Sequence, residues 1–176
     1  MRKLQIGIVG SMADTKLEES LKEVARELGR EIAKNDAILI FGFEGDFDSL
    51  SSIAARAAEE AGGQSLAFTW GSDKTDLGKL KSAKVTTGQQ RGGGREFSLV
   101  LSCDVIIAIS GGSGTLMEIA MAYQADIPVI AIANSGGWSQ QLAGKFIDPR
   151  KRGKVISANS SQEAVRLAIQ ESKAKI

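Results

Sequence analysis

The run Asp104-Val105-Ile106-Ile107-Ala108-Ile109 constrains this chain more than any other stretch. From Val105 on it is apolar at consecutive positions rather than at alternate ones, and rich in β-branched residues. As a strand it therefore has to be covered on both faces, which is the condition of a parallel sheet. It enters Ser110-Gly111-Gly112-Ser113-Gly114-Thr115 and leaves with Leu116, Ile119, Ala120 and Tyr123 at helical spacing. A strand, a glycine turn and a helix in that order present unpaired backbone N–H groups at the positive end of a helix dipole. That end favours an anion, usually a phosphate. Glu118 is four residues past Gly114, about one turn into the helix, so its carboxylate lies beside whatever the loop holds. A bound phosphate would repel it, which places it against a ribose or another polar part of a ligand.

The same alternation runs through the chain. Strands are expected at 4–9, 37–41, 64–70, 85–87, 104–109, 128–133 and 155–156. Helices are expected over 17–33, 49–61, 95–102, out of the glycine turn through Leu116 to Tyr123, over 136–143 and from 160. In the first helix Leu17, Leu21, Val24, Ala25, Leu28 and Ile32 share a face, Gly62-Gly63 stops the second, and Ser160 to Glu163 carries capping residues for the last. The polar stretch 71–84 has no periodicity and is a candidate loop over the site. This pattern gives one α/β domain over 1–176, a doubly wound and mostly parallel sheet with helices on both faces. Such sheets bind ligands outside the carboxyl ends of their strands. Gly10-Ser11, the turn from Gly42 to Asp48, Gly71 and the 111–115 loop all fall there.

Composition narrows the chemistry. With 176 residues, 43% of them hydrophobic, the chain suits one well-buried core. Its 22 basic and 21 acidic residues leave a net charge of +1, with no basic run to track a nucleic acid, and Arg150-Lys151-Arg152 reads as a solvated loop. Neither a signal peptide nor a membrane-length apolar stretch is evident, so a cytoplasmic protein is expected. The lone Cys103 reads as a small apolar core residue. The absence of histidine excludes Ser-His and Cys-His nucleophile pairs and any plausible zinc constellation. Chemistry here has to run on carboxylates, arginines, lysines and backbone dipoles.

Gly111, Gly112, Ser113, Gly114 and Thr115 are the candidate phosphate loop, joined by Gly10, Ser11 and Gly42 from neighbouring turns. The loop is neither a Walker sequence, since no lysine follows, nor the dinucleotide fingerprint of a first strand, and Asp126 lies only twelve residues past Gly114. Glu118 is the one charge in an apolar stretch. Arg95 opens its helix at the end where a cation is unfavourable, so it needs a partner: a ligand phosphate, Glu96 or Glu118. Glu44, Asp46 and Asp48 read as solvated, with Asp48 as a helix cap, and a site for a hard cation as the minor alternative.

Together these residues resemble a family. Gly111-Gly112-Ser113-Gly114-Thr115-Leu116-Met117-Glu118, Arg95 one helix earlier and Gly10-Ser11 after the first strand are similar to the Rossmann-like superfamily of the LONELY GUY phosphoribohydrolases, once called lysine decarboxylases. That superfamily also holds molybdenum-cofactor carrier proteins and the core of the DNA-processing A proteins. The resemblance is closest to the small carrier-like subgroup and strongest over 95–131. It implies a phosphate on Gly111, Gly112, Gly114 and Thr115, and Arg95 with Glu118 as the catalytic pair of a nucleoside 5′-monophosphate phosphoribohydrolase. In that reaction the carboxylate stabilises the oxocarbenium character of the ribose and positions water. The alternative is a non-catalytic carrier for a nucleotide-like ligand or molybdenum cofactor. Neither a cofactor nor a metal is expected, and the partners are a small phosphorylated ligand and a second copy of the chain, with the face around Tyr123 available for pairing. The chain departs from the hydrolase pattern at Ser110, where proline is usual, and at Glu96, where lysine or asparagine is usual. It departs again in the acidic Gly42-Phe43-Glu44-Gly45-Asp46-Phe47-Asp48 turn, where a GGxxGxM turn is common.

Overall fold

The chain's computed structural model describes residues 2–12, 16–71 and 75–173. Seven strands, β1 (Gln5–Gly10), β2 (Ile38–Gly42), β3 (Gln64–Thr69), β4 (Ala83–Thr86), β5 (Val105–Ile109), β6 (Val129–Ile132) and β7 (Ile156–Ala158), form one sheet in the order β4-β3-β2-β1-β5-β6-β7. Every pairing is parallel, as the apolar strands require. Among the described residues the helices are α1 (Glu19–Lys34), α2 (Leu50–Glu60), α3 (Gly94–Leu101), α4 (Ser113–Gln124), α5 (Gly137–Leu142) and α6 (Ser161–Lys173).

Alternation along the strands divides the core in two. Val105, Ile107 and Ile109 of β5 pack with Leu28 and Ile32 of α1, Ile53 of α2 and Val165 of α6. Ile106 and Ala108 face the other way, toward Leu99 and Val100 of α3, Ile119 and Ala122 of α4 and Leu142 of α5. The sheet is thus covered on both sides, α1, α2 and α6 against α3, α4 and α5, as expected of a doubly wound α/β domain. Gly29 lets α1 approach α2 closely, since a Cβ there would collide with the carbonyl oxygen of Ala54. Among the described residues no helix is long and apolar enough to cross a membrane.

Several local expectations need correction. The edge strands β4 and β7 each begin or end a residue or two from where apolarity places them, because both are short and partly solvated. Within the polar stretch 71–84, Leu80 is buried and Leu77 packs on the core, while residues 72–74 lie outside the described residues. Ser49 rather than Asp48 caps α2, its hydroxyl accepting from the Ser52 N–H at 3.0 Å. Asp48 accepts from the Ser49 N–H instead and pairs with Arg56 at 2.6 Å. Tyr123 is buried under Arg152 and donates to Asp148 at 2.6 Å, so its face is already covered by residues of this chain. Cys103 is buried against α3 and donates to the Leu99 carbonyl, and burial pushes its thiol well above the ordinary range.

Candidate ligand-binding site

The chain leaves β1 toward β2, β3 and β4, then returns to the other side of β1 as β5. Between β1 and β5 the connections depart to opposite faces, and a crevice opens at the carboxyl ends of the strands. A cleft of about 220 Å³ lies there, lined by Gly10 and Met12 after β1, Gly42 and Glu44 after β2, Arg91, Arg95 and Glu96 around the start of α3, and Gly114, Thr115 and Glu118 of α4. Two other clefts, of about 530 and 410 Å³, sit against residues at the amino ends of strands and contain none of the candidate residues. Volume alone would select the first of these, but the convergent charges and free backbone donors are in the smaller one.

The glycine loop divides into a fixed half and an open half. Ser110 and Gly111 both have left-handed backbone, φ 53° and 93°. All four of their backbone polar groups are occupied by neighbouring segments: Ser110 N–H by Ser135 Oγ (2.7 Å), Gly111 N–H by Ser11 Oγ (2.9 Å), and the two carbonyls by the Ser139 and Trp138 N–H groups at the start of α5 (3.0 Å each). A side chain at 111 would collide with Thr115, so glycine there is required by the fold. Beyond it the situation reverses. A Cβ on Gly112 or Gly114 would meet nothing within 4 Å, and no side chain caps the helix at Gly112. Among the described residues the N–H groups of Gly112, Ser113, Gly114 and Thr115 meet no acceptor from another loop. This open turn leaves the donors at the positive end of the α4 dipole without acceptors from other loops.

Opposite it lies a dense set of charges. Arg95, 5% exposed, donates from Nη2 to Glu44 Oε1 and Glu96 Oε1, at 2.6 Å each, and from Nε to Glu96 Oε1 at 3.0 Å. Glu96 also accepts from the Gly93 N–H at 2.8 Å, closing the start of α3. Burial works against the Arg95 charge, but the two carboxylates outweigh it and raise its pKa above the ordinary value. For Glu96 burial again opposes the charge, and Arg95 holds its carboxyl below the usual range. Two atoms of this network remain without a hydrogen bond although buried, Arg95 Nη1 and Glu44 Oε2. Glu44 Oε2 is 2.9 Å from Arg91 Nη2, close enough for attraction but without hydrogen-bond geometry. Gly42 makes room for the guanidinium, because a Cβ there would stand 2.5 Å from Nη1.

Glu118 shares the cleft but not the network. No hydrogen bond or ion pair holds its half-buried carboxyl among the described residues. Burial is the main cause that pushes its pKa up to about 8, Arg95 pulls it down, and Glu96 and Glu44 add to the rise. The Arg95 partner is therefore Glu96, one of the carboxylates the sequence offers, together with Glu44. Glu44 is 4% exposed rather than solvated, and it meets Arg95 only because α3 packs against β2. Of the other sequence candidates, Gly10, Gly42, Gly114 and Thr115 line the cleft with Arg95 and Glu118. Ser11 and Gly111 brace the loop from behind, whereas Gly112 and Ser113 are exposed at its mouth. Glu44, Asp46 and Asp48 do not converge: among the described residues no three acidic, histidine or cysteine side chains are grouped to hold a metal ion.

Residues 3–165 match the SLOG cluster4 family. An uncharacterized protein of Archaeoglobus fulgidus is 30% identical over 124 residues, which cover 70% of this chain and 76% of that protein. The molybdenum cofactor carrier protein of Chlamydomonas reinhardtii is 30% identical, with a TM-score of 0.77 over 97% of this chain and 98% of its own. The molybdenum cofactor binding protein of Rippkaea orientalis is 26% identical, with a TM-score of 0.81 over the same shares, 97% and 98%.

Proposed function

Because this chain belongs to the SLOG cluster4 family, we propose that it binds a phosphorylated, nucleotide-like small molecule and holds it intact, as a carrier. Its structural relatives include proteins named for carrying or binding molybdenum cofactor, and a phosphorylated pterin of that kind falls within the proposed ligand class. The phosphate would sit on the N–H groups of residues 112–115, and Arg95 Nη1 is a buried donor still without a partner. At about 220 Å³ the cleft is below the roughly 300–1,000 Å³ of most small-molecule pockets, so it suits the phosphorylated end of a ligand whose remainder lies along the mouth.

The observation that carries the choice of carrier over hydrolase is the engagement of Arg95. A phosphoribohydrolase needs an ionised carboxylate oriented at the ribose. Here Arg95 is bound to Glu44 and Glu96, while Glu118 stands apart and is pushed toward its neutral form. Ser110 supports the same reading: its φ of 53° is closed to proline, whose ring holds φ near −65°. The loop is therefore built differently from a hydrolase loop with proline at that position. One observation favours cleavage, the pKa of Glu118 itself, since a carboxyl titrating near neutrality is suited to general acid–base work.

Incubation with a panel of nucleoside 5′-monophosphates, with released base followed by chromatography, separates the two. Binding without base release is expected, along with a phosphorylated ligand detected by native mass spectrometry of the purified protein. Base release by the wild type that disappears in Glu118→Ala would establish the hydrolase instead. We further infer that the chain pairs with a second copy through the outer face of α3, where Phe97 and Leu101 are exposed one turn apart.

A further inference from the structure

A cleft of about 530 Å³, larger than the one at the carboxyl ends and within the ordinary range of small-molecule pockets, lies at the amino ends of β6 and β7. Its floor is apolar: Ile127 and Val129 around the start of β6, Val155 and Ile156 around the start of β7, and Ile147 between them. Three of these, Ile127, Ile147 and Ile156, are only half-buried. One wall is the turn that carries Arg152 and Lys154, and it is pinned rather than loose. Val155 donates its N–H to the Lys145 carbonyl and accepts from the Gly144 N–H, at 2.9 Å each. Asp148 accepts from the Tyr123 hydroxyl at 2.6 Å and from the Arg150 N–H at 2.9 Å. Asp126 and Glu171 complete the rim. Among the described residues Asp126, Lys154 and Glu171 make no side-chain hydrogen bond or ion pair. Arg152 has no carboxylate partner, only Gln124 Oε1 at 2.7 Å and the Tyr123 ring, 5.1 Å from its centroid.

Two carboxylates and two cations thus border one apolar cleft without pairing with each other. We propose that this cleft binds an apolar zwitterion, a free amino acid or a short peptide, its ammonium group held by Asp126 and Glu171 and its carboxylate by Arg152 and Lys154. The apolar body of such a ligand covers the half-buried isoleucines and removes their remaining surface from water. Its two charged ends meet opposite charges in charge-assisted hydrogen bonds. A simple apolar acid would satisfy Arg152 and Lys154 but be repelled by the two carboxylates, and a simple apolar amine would fail in the reverse sense. A phosphorylated ligand is disfavoured by the same carboxylates. The inference therefore stands independently of the cleft at the carboxyl ends of the strands.

Calorimetric titration of the full chain with L-phenylalanine and with leucyl-leucine, each beside its N-acetylated and its C-amidated analogue, tests this. At least one zwitterion is expected to bind about tenfold or more tighter than either of its blocked analogues, the scale of one charge-assisted hydrogen bond. L-Phenylalanine against leucyl-leucine then tells a free amino acid from a peptide. The double variant Asp126→Asn, Glu171→Gln is expected to lose the preference over the N-acetylated analogue and keep that over the amide. Asparagine suits the left-handed backbone at 126, φ 57°, so the turn is retained. Arg152→Gln with Lys154→Gln is expected to show the opposite pattern. Blocked analogues that bind as well as the zwitterions would overturn the site, since only its apolar floor would then be read. Preferences that survive in both double variants would overturn it too, because the charges would be met elsewhere. Absence of binding by both zwitterions would overturn it outright.

Discussion

Glu118 illustrates how one residue's surroundings set its chemistry. The sequence marks it out as a lone charge in an apolar helix, and its position in the cleft follows from that. Its protonation state does not, because it depends on how deeply the fold buries it and on which charges the fold brings near. Burial is the main cause that lifts the Glu118 carboxyl to about 8 from 4.5, against the pull of Arg95 and with Glu96 and Glu44 adding to the rise. Between those values the folded chain holds a proton that the unfolded chain has released. The stabilising contribution is therefore whole below pH 4.5 and lost as the pH rises through 8. Glu118→Gln is expected to remove this loss. In thermal melts from pH 5 to pH 9, the difference in Tm should shift progressively in favour of the variant. Parallel curves across that range would mean that Glu118 titrates as an ordinary carboxyl.

At the scale of elements, α4 and the α1–α2 pair use glycine for opposite reasons. Gly29 is a contact between helices, and Gly29→Ala has to push α2 away from α1, at a cost of about 1–3 kcal/mol or more. Gly114 touches nothing, and alanine suits a helix better than glycine by about 0.8–1.0 kcal/mol in a helix interior. Gly114→Ala is thus expected to keep or raise the urea midpoint while weakening binding of a phosphorylated ligand, because the added methyl stands where the anion approaches. A loss of stability comparable to that of Gly29→Ala would show that Gly114 serves the fold. The same contrast explains what could be read from the residues in advance. β1, β2, β5 and β6 were legible because strands buried on both faces are written as unbroken apolar runs. The 110–115 loop was legible because three glycines in four residues have few other uses. Glu44 was not, since its partner Arg95 is 51 residues away and meets it only once α3 packs against β2. Nor was the split between Gly111 and Gly114, which depends on the loops that Ser11, Ser135 and Ser139 bring in behind.

The described residues form one parallel sheet with the candidate site at the carboxyl ends of its strands, and the chain is nearly neutral, +1 over 176 residues. Low net charge does little to keep two copies apart. Phe97 and Leu101, 51% and 60% exposed, then favour self-association. Light scattering is expected to give a mass of twice 18.6 kDa, and Leu101→Glu to return it to that of one chain. A monomeric wild type would remove the α3 pairing without touching the cleft. The bracing of Ser110 and Gly111 has a further consequence for time. With every backbone group of that half-turn already tied to neighbouring segments, the start of α4 is held in place before anything arrives, and little order would remain to be created on contact. Ligands of this class would then be admitted at similar speeds, and what distinguishes a kept cargo from a passing metabolite is how long each one stays.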